Sequence, residues 1–249
     1  MNSLSVIFPA FNEVGNIELA VATSDSVLSR LELEYEIIVV DDGSNDGTRE
    51  QLESLCRRYA RVRAVHHPTN RGYGAALKSG ITAARCEHIF FTDADLQFDI
   101  EEISRLIRYA DRYDVIAGYR QRRSDPWIRR TNAWAWGILV DGLFDLGVRD
   151  VDCAFKIFHR RVFELIPICA VGAFVNTEIL VRARAAGFAV HQIPVSHYPR
   201  RCGRQTGANP RVVFKAFMEL GRLHGELRHA RDGAPSWVNR QVNIRPELR

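Results

Sequence analysis

The segment Tyr35-Glu-Ile-Ile-Val-Val-Asp-Asp-Gly-Ser44 carries the pattern on which the fold depends. An unbroken aliphatic run ends abruptly in two carboxylates, a glycine and a serine. Strands that are buried on both faces of a parallel sheet have this continuous apolar character, whereas half-exposed strands alternate apolar and polar residues. The segment therefore predicts a central strand with a polar turn at its carboxyl end.

Outward from this segment, runs rich in Val, Ile and Phe alternate with segments that predict helices. The predicted strands are Leu4–Phe8, Tyr35–Val40, Val62–His66, His88–Phe91 and Asp114–Ala117, and the predicted helices are Gly15–Arg30, Gly47–Tyr59, Gly74–Ala84 and Ile100–Tyr109. Asp99 is a suitable N-cap for the last helix. This repeated alternation predicts an α/β fold with a mostly parallel sheet, right-handed crossovers and helices on both faces.

The regular alternation ends after residue 117. The later segments are a basic loop with Arg120, Arg122, Arg123, Arg129 and Arg130, an apolar stretch Ala133–Val148, strands Phe155–Phe158 and Val190–Val195, a helix Thr177–Ala186, and a helix from Pro210 to about His229. The last helix packs on the core or lies on a membrane surface. We expect one domain over residues 1–231, with halves 1–117 and 118–231, and a flexible tail over 232–249.

Composition excludes whole classes of protein. The 249 residues are 46% hydrophobic and 26% charged, which excludes a disordered chain, a collagen-like fibre and a polytopic membrane protein. The formal net charge of +4 is unevenly distributed: 12 basic and 19 acidic side chains give −7 over residues 1–115, whereas 22 and 11 give +11 over 116–249. We therefore expect the two halves to face different partners.

Cysteine usage and hydropathy predict the compartment. Five cysteines without a CxxC spacing indicate reduced thiols in an intracellular protein rather than a disulfide framework or a zinc cluster. The amino terminus lacks a basic region and meets Pro9, so it predicts a strand and not a signal peptide. Asp141 and Asp145 interrupt the apolar stretch, which is shorter than the roughly 20 residues of a bilayer span. We expect no transmembrane helix and a cytoplasmic location.

The candidate site lies where the predicted strands end. Ligands of open parallel sheets bind beyond the carboxyl ends of the strands, and there the sequence places Glu13, Asp41, Asp42, Asp93 and Asp95. Carboxylates at one edge would repel one another unless a cation or hydrogen-bond donors lay among them. Asp93 and Asp95 are two residues apart on an extended segment, so their side chains point the same way, as a divalent cation bridging a diphosphate needs. Each motif alone is also an ordinary cap or turn, and their coincidence favours a site.

The glycines of Gly72-Tyr-Gly74 begin like a dinucleotide fingerprint. Leu77 occupies the third glycine position, and the segment follows the third strand rather than the first, which disfavours a dehydrogenase. No GxxxxGK[ST] loop is present either. We expect these glycines to allow a tight turn into a helix, with Lys78 nearby.

Taken together, the motifs resemble family 2 of the GT-A glycosyltransferases, specifically the branch of dolichol-phosphate mannose synthase and the polyprenyl-phosphate glycosyltransferases. The motifs that carry the resemblance are Pro9-Ala-Phe-Asn-Glu13, Asp41-Asp-Gly-Ser-Asn-Asp-Gly-Thr48, Asn70-Arg-Gly-Tyr-Gly-Ala-Ala-Leu-Lys-Ser-Gly80, Asp93-Ala-Asp-Leu-Gln97 and Gly118-Tyr-Arg120. They cover the first half almost continuously. The second half resembles the family more loosely, through Asp152-Cys-Ala-Phe-Lys156, Thr177-Glu178 and His197–Gly203.

The resemblance implies roles for individual residues. The implied donor-binding residues are Pro9, Phe11, Glu13, Val40, Asp42, Asp93, Ala94, Asp95 and Arg120. Implied acceptor-binding residues are Arg129, Arg200 and Arg201, and Arg200 matches the arginine that closes over the site. Asp93, Asp95 and Gln97 would hold Mg²⁺ or Mn²⁺, and Asp93, Asp95 and Arg120 would form the catalytic group, with Arg120 holding either the diphosphate or the acceptor phosphate. Phe11 and Ala154 depart from the usual Tyr and Gly of the family.

The implied reaction is an inverting, metal-dependent transfer of a sugar from a nucleotide-sugar, GDP-mannose or a UDP-sugar, to a dolichyl or undecaprenyl phosphate of the cell envelope. An anionic acceptor needs arginines to position it more than a general base. A saccharide hydroxyl as acceptor would need a base, with Glu178 as first candidate and Asp152 as second.

Partners follow from the same resemblance. We expect peripheral contact with the cytoplasmic face of a membrane. Trp127, Trp134 and Trp136 either line a groove for lipid or sugar or pack in the core. Nucleic acid is not an expected partner, because the basic residues lack regular aromatic interleaving.

Overall fold

The structure is a computed structural model that describes residues 1–121, 127–200, 202 and 210–232. The strands are β1 (Ser3–Ala10), β2 (Glu34–Asp41), β3 (Val62–His66), β4 (His88–Phe91), β5 (Val115–Arg120), β6 (Lys156–His159) and β7 (Val190–Val195). The helices are α1 (Ile17–Leu28), α2 (Thr48–Arg58), α3 (Tyr73–Ala83), α4 (Ile103–Ile107), α5 (Trp127–Phe144), α6 (Arg160–Leu165), α7 (Val175–Ala185) and α8 (Pro210–Asp232).

One sheet contains all of these strands, in the order β3-β2-β1-β4-β6-β5-β7. Neighbours among β3, β2, β1 and β4 are parallel, and β5 is parallel to β7. Strand β6 lies antiparallel between β4 and β5. The predicted mostly parallel α/β sheet with helices is thus confirmed, with β6 as its antiparallel member.

Most predicted elements agree with the structure to within three residues at each end, and three segments differ. The helix expected over Ile100–Tyr109 is a 3₁₀ turn over Ile100–Glu102, capped by the Asp99 side chain, followed by the short α4. Helix α6 was not predicted; the His159 ring accepts the Arg161 N–H at its start. The apolar stretch at 133–148 is helical only to Phe144.

Apolar side chains fill two layers, one on each face of the sheet. Within β1, Val6 and Phe8 belong to one layer and Ile7 to the other, as the pleat requires. Helix α3 approaches β1 very closely, because a β-carbon at Gly80 would lie 2.4 Å from Ile7 Cγ2. This close packing holds the start of α3 near the carboxyl ends of the strands.

Some expectations concern positions outside the described part of the chain. They include Arg122, Arg123 and Arg201, the side chains of Arg129 and Arg130, and the expected tail over 232–249 apart from Asp232, which ends α8. Among the described residues, none of the helices combines the length and apolar character that a membrane-spanning segment needs.

Candidate active site

The two aspartates that end β2 have different environments. The buried Asp41 carboxylate accepts the Ser44 N–H at 2.9 Å and contacts His66 Nδ1 at 3.0 Å. Burial acts to raise the pKa of Asp41, but the hydrogen bonds from Ser44 and His66 outweigh it and lower the pKa. Asp41 therefore holds the turn after β2 and the neighbouring strand β3, rather than joining the other carboxylates.

Asp42 holds the start of α3. Its Oδ1 accepts the Arg71 N–H at 2.9 Å, and its Oδ2 accepts the Gly72 N–H at 2.8 Å. The His67 ring lies 2.6 Å from Oδ1 and 2.9 Å from Ser79 Oγ on its other side. The backbone at Gly72 has a φ of +100°, a conformation that side chains disfavour. Asp42 thus lies at the expected edge, with its oxygens bonded to the loop before α3.

Asp93 follows β4 and lies against α3. Burial raises the pKa of Asp93, while the hydroxyl of Tyr73 and the charges of Arg120 and Lys156 act against this rise. The Tyr73 hydroxyl is itself fully enclosed, and burial together with the Asp93 charge raises its pKa well above the ordinary value. Asn176 of α7 lies near the same hydroxyl. Residues from α3 and β5 therefore lie close to Asp93.

Asp95 and Glu13 are joined by an arginine from the far end of the chain. Arg200 donates to Glu13 Oε1 through Nη2, and its Nη1 lies 3.4 Å from Asp95 Oδ2. Burial raises the pKa of Asp95 to about 7, with a further contribution from Asp93, while Arg200 acts in the opposite direction. Arg200 therefore supplies the positive charge that the crowded carboxylates were expected to need.

The backbone around Asp95 is unusual. Leu96 has a φ of +59°, in the left-handed region that non-glycine residues rarely adopt. The conformation lets the Gln97 N–H donate to Asp95 Oδ1 at 3.2 Å, while Gln97 Nε2 donates to the Tyr198 carbonyl at 3.1 Å. The Gln97 side chain thus links this turn to the loop that carries Arg200.

The donor set suits a hard divalent cation. No three His, Cys, Asp or Glu side chains within the described ranges are arranged as a metal cage. Mg²⁺, however, is usually held by one or two carboxylates together with substrate phosphates and water. Asp93 and Asp95, with a guanidinium already drawn against Asp95, fit that mode of binding.

A groove of about 470 Å³ opens beside Arg120, at the end of β5. Its lining includes Tyr119, Arg120, Trp127, Trp134, Arg149, Asp150 and Asp152. Arg120 binds the Asp150 carboxylate in a bidentate manner, with Nε–Oδ2 at 2.6 Å and Nη2–Oδ1 at 2.7 Å. Burial acts to lower the pKa of Arg120, but Asp150 outweighs it and raises the pKa. The groove therefore joins a fixed guanidinium to aromatic walls.

The three tryptophans of α5 have different surroundings. Trp127 and Trp134 line the groove and are 73% and 67% exposed. Trp136 instead packs against Phe174 and Phe217, and its Nε1 donates to Thr177 Oγ1 at 3.3 Å. Trp127 and Trp134 therefore line the groove, and Trp136 packs against the core.

The two candidate bases differ in their environment. Glu178 is 2% exposed, and its oxygens accept the backbone N–H groups of Cys169 and Ala170 and the Arg182 Nε. Asp152 lines the groove and lies near Arg120. The first is thus held by three donors away from the groove, and the second lies beside it.

The remaining donor-binding candidates lie close to the acidic edge but differ in exposure. Pro9 pairs with Val40 across β1 and β2, and the Val40 side chain is buried in the core beneath Gly80. Ala94 is also buried, whereas Phe11 is 39% exposed. Of these four, Phe11 offers an accessible side chain at the edge.

Sequence reasoning missed several residues of the site. Tyr73 and Asn176 lie near Asp93 or each other, His67 contacts Asp42, and Asp150 holds Arg120. For His67 a signal existed, because two histidines end β3 just as two aspartates end the paired strand β2. Lys156 is wholly buried and donates to the carbonyls of Val151 and Cys153.

Comparison with known proteins identifies relatives. Residues 5–166 match the family model described as Glycosyl transferase family 2. The chain is 34% identical over 207 residues to Glycosyltransferase AglD of Haloferax volcanii, which covers 79% of this chain and 33% of that protein. It is 29% identical over 205 residues to the Undecaprenyl-phosphate 4-deoxy-4-formamido-L-arabinose transferase of Proteus mirabilis, covering 82% of this chain and 62% of that protein. The chain thus spans less than two thirds of either relative.

Solved structures share the fold. Glucosyl-3-phosphoglycerate synthase from Mycobacterium tuberculosis, in complex with Mn²⁺, UDP-glucose and phosphoglyceric acid, superimposes with a TM-score of 0.71 at 21% identity. The superposition covers 90% of this chain and 80% of that one. A crystal structure of the same enzyme in complex with UDP gives a TM-score of 0.72 at 20% identity. At these identities the likeness concerns the fold.

Proposed function

The chain belongs to glycosyl transferase family 2, and from this premise we propose that it transfers a sugar from a nucleotide-sugar to a polyprenyl phosphate, with inversion at the transferred carbon. The donor is GDP-mannose or a UDP-sugar, and the lipid is dolichyl or undecaprenyl phosphate. The Proteus relative, whose name specifies undecaprenyl phosphate, supports this acceptor class.

The donor half of the proposal rests on the acidic edge. Phe11, Glu13 and Asp42 flank the position of the base and ribose, and Asp93 and Asp95 face the diphosphate. A divalent ion held by these two aspartates, with Gln97 beside them, would neutralise the charge that develops on the departing nucleoside diphosphate. The residues bind and orient the donor, and Arg200 supplies positive charge at the same edge.

The groove beside Arg120 is the single observation that carries the acceptor half. It combines a guanidinium fixed by Asp150 with the exposed rings of Trp127 and Trp134. A polyprenyl phosphate has the matching chemistry, with an anionic head and an apolar chain. Arg120 is also close enough to Asp93 for its charge to influence that carboxyl, so a phosphate at Arg120 would lie near the donor.

Exposed apolar side chains support contact with a membrane surface. Helices α5 and α8 touch through Trp136 and Phe217. Together they carry an apolar face, which we define as Trp134, Ile138, Phe214, Phe217 and Met218, each at least 49% exposed. Leu220 and Leu223, further along α8, are buried, so this helix packs on the core and exposes apolar side chains at its start. Helices of this kind lie in the interfacial layer of a bilayer.

A phosphate acceptor is already an anionic nucleophile at neutral pH, and the proposed reaction therefore needs no general base. The hydrogen bonds of Glu178 favour this version of the reaction, because its carboxylate is occupied by three donors. The alternative is a saccharide hydroxyl as acceptor. It would rely on Asp152, which lines the groove.

The test uses the purified chain with Mn²⁺, labelled UDP- and GDP-sugars, and undecaprenyl or dolichyl phosphate in detergent. We expect label in an organic-extractable lipid phosphate, with EDTA abolishing the transfer. Asp95→Asn should abolish it as well, whereas Asp111→Asn, at an exposed aspartate paired with the amino terminus, should not. Label found only in water-soluble glycans would refute the lipid acceptor, and full transfer in EDTA would refute the role of the metal.

A further inference from the structure

Gly72, Tyr73 and Gly74, at the start of α3, lie beside two aspartates of the candidate site and the loop at residues 169–171. The Gly72 N–H donates to Asp42, the Tyr73 hydroxyl lies near Asp93, and the Gly74 N–H donates to the Val171 carbonyl at 3.0 Å. The position of this turn therefore determines how both donor-site aspartates are held. Whatever fixes the Val171 carbonyl also fixes the turn.

The loop that carries Val171 packs tightly against the first residues of α3. A β-carbon at Gly72 would lie 2.4 Å from the Val171 carbonyl oxygen, and one at Gly74 would lie 2.5 Å from the Ala170 oxygen. The same carbonyl of Val171 also accepts the Ala75 N–H at 3.3 Å. A shift of the loop by a fraction of an ångström would therefore displace the first turn of α3.

Glu178 holds this loop from its other side. Its Oε2 accepts the N–H groups of Cys169 and Ala170, at 2.9 and 2.7 Å, and its Oε1 accepts the Arg182 Nε at 2.9 Å. Arg182 in turn donates to Glu226 of α8 at 2.8 Å. The side chains of Glu178 and Arg182 are each 3% exposed, so water competes little for these bonds.

From this geometry we propose that Glu178 is a positioning residue for the donor site, acting through the 169–171 loop and the first turn of α3, and that it is not the general base. The inference deepens the proposed function and rests on it for the identity of the donor. It gives a buried glutamate a role in nucleotide binding, whereas the sequence motif suggests a general base at this position. Helix α8, which carries part of the apolar face, is tied to the same carboxylate through Arg182.

The first arm of the test needs no ligand. In Glu178→Gln the carbonyl oxygen cannot accept from both the loop and Arg182, because the amide nitrogen replaces one acceptor. We expect amide hydrogen exchange over residues 72–75 to become about tenfold faster, with no change in α2. The matched control is Glu164→Gln, at an exposed glutamate on α6, which should exchange like the wild type.

The second arm separates positioning from catalysis. We expect Glu178→Gln to weaken binding of UDP or GDP with Mn²⁺, whichever the wild type binds, by about tenfold, and to raise the KM of the nucleotide-sugar similarly. At saturating donor, kcat should stay within about threefold, and its pH profile should keep the acidic limb. A general base would instead lose about 100-fold or more in kcat together with that limb.

The outcomes separate this inference from the proposed function. Failure to transfer sugar to lipid overturns the proposed acceptor, while exchange and nucleotide binding still decide the role of Glu178. Unchanged exchange over 72–75, or faster exchange with unchanged nucleotide affinity, overturns the inference. If Glu178→Gln does not fold, Arg182→Lys, which keeps the charge but loses the two-sided contact with Glu178 and Glu226, decides by the same readouts.

Discussion

Substitution of Arg200 is the most direct test of the site, because its guanidinium acts as an internal cation between Glu13 and Asp95. In Arg200→Met the two carboxylates lose their shared counterion, while an unbranched side chain still fills the space of the aliphatic part of Arg200. The side chains of the three residues are 9–16% exposed, which makes the contact largely but not wholly buried. The charge of Asp93 adds to the repulsion that remains.

The loss of unfolding free energy in Arg200→Met follows from these exposed fractions. Removing one partner of a fully buried pair costs about 3–5 kcal/mol, and partial exposure reduces this to about 2–3 kcal/mol here. For a domain of this size, that corresponds to a fall in Tm of about 4–12 °C. Added Mn²⁺ should recover part of the loss, because the ion meets carboxylates that no longer share a guanidinium. A tenfold gain in Mn²⁺ affinity would contribute about 1.4 kcal/mol.

The assay is thermal unfolding with and without Mn²⁺, in wild type, Arg200→Met and the matched control Arg58→Met. Arg58 pairs with Glu18 on the surface, with side chains 63% and 53% exposed, so its loss should change the stability very little. We expect the Mn²⁺-induced rise in Tm to be larger in Arg200→Met than in wild type. An equal or smaller rise would refute the view that Arg200 and the metal compete for the same carboxylates.

Three further substitutions test other parts of the structure. Burial acts to raise the pKa of Glu36, but hydrogen-bond donors outweigh it and lower the pKa. The ionised Glu36 therefore stabilises the fold above the unfolded pKa of about 4.3, and this stabilisation is lost as pH falls. The difference in unfolding free energy between wild type and Glu36→Gln should shrink from about pH 7 to about pH 3, and a constant difference in denaturant titrations would contradict this. Gly80→Ala should destabilise the protein by about 1–3 kcal/mol in the same titrations, because its β-carbon would meet Ile7, and wild-type stability would contradict the close packing. Asp150→Asn should lower the rate of sugar transfer about tenfold or more, because it weakens the bidentate contact that orients the Arg120 guanidinium. Unchanged kinetics would exclude a role for Asp150 in orienting Arg120.

Local patterns were sufficient to predict much of the sheet and the placement of its acidic edge. Continuous apolar runs predicted the strands, and the rule that ligands bind beyond their carboxyl ends placed Asp42, Asp93 and Asp95 together. These predictions rest on interactions within a strand or between a strand and the turn that follows it. The antiparallel β6 follows no such rule, because its direction depends on where the chain returns after α5.

Contacts between distant segments could not be predicted in this way. Arg200 lies 187 positions after Glu13, and no periodicity connects them. For Glu178, the residue type and its place beside Thr177 suggested a base, whereas its role depends on the backbone N–H groups of Cys169 and Ala170 that its carboxylate accepts. A motif can therefore identify which residue matters before packing decides how it acts.

The uneven charge of the chain has a partly internal explanation. An acidic first half and a basic second half suggested two partners of opposite charge. In the structure the halves also neutralise each other: Arg200 binds Glu13 and approaches Asp95, and Arg161 binds Asp114 through Nε at 2.6 Å. At the acidic edge this means that a basic residue of the second half already compensates the carboxylates of the first. If the proposed donor enters there as a metal-bound diphosphate, it must displace Arg200 from Glu13 and Asp95.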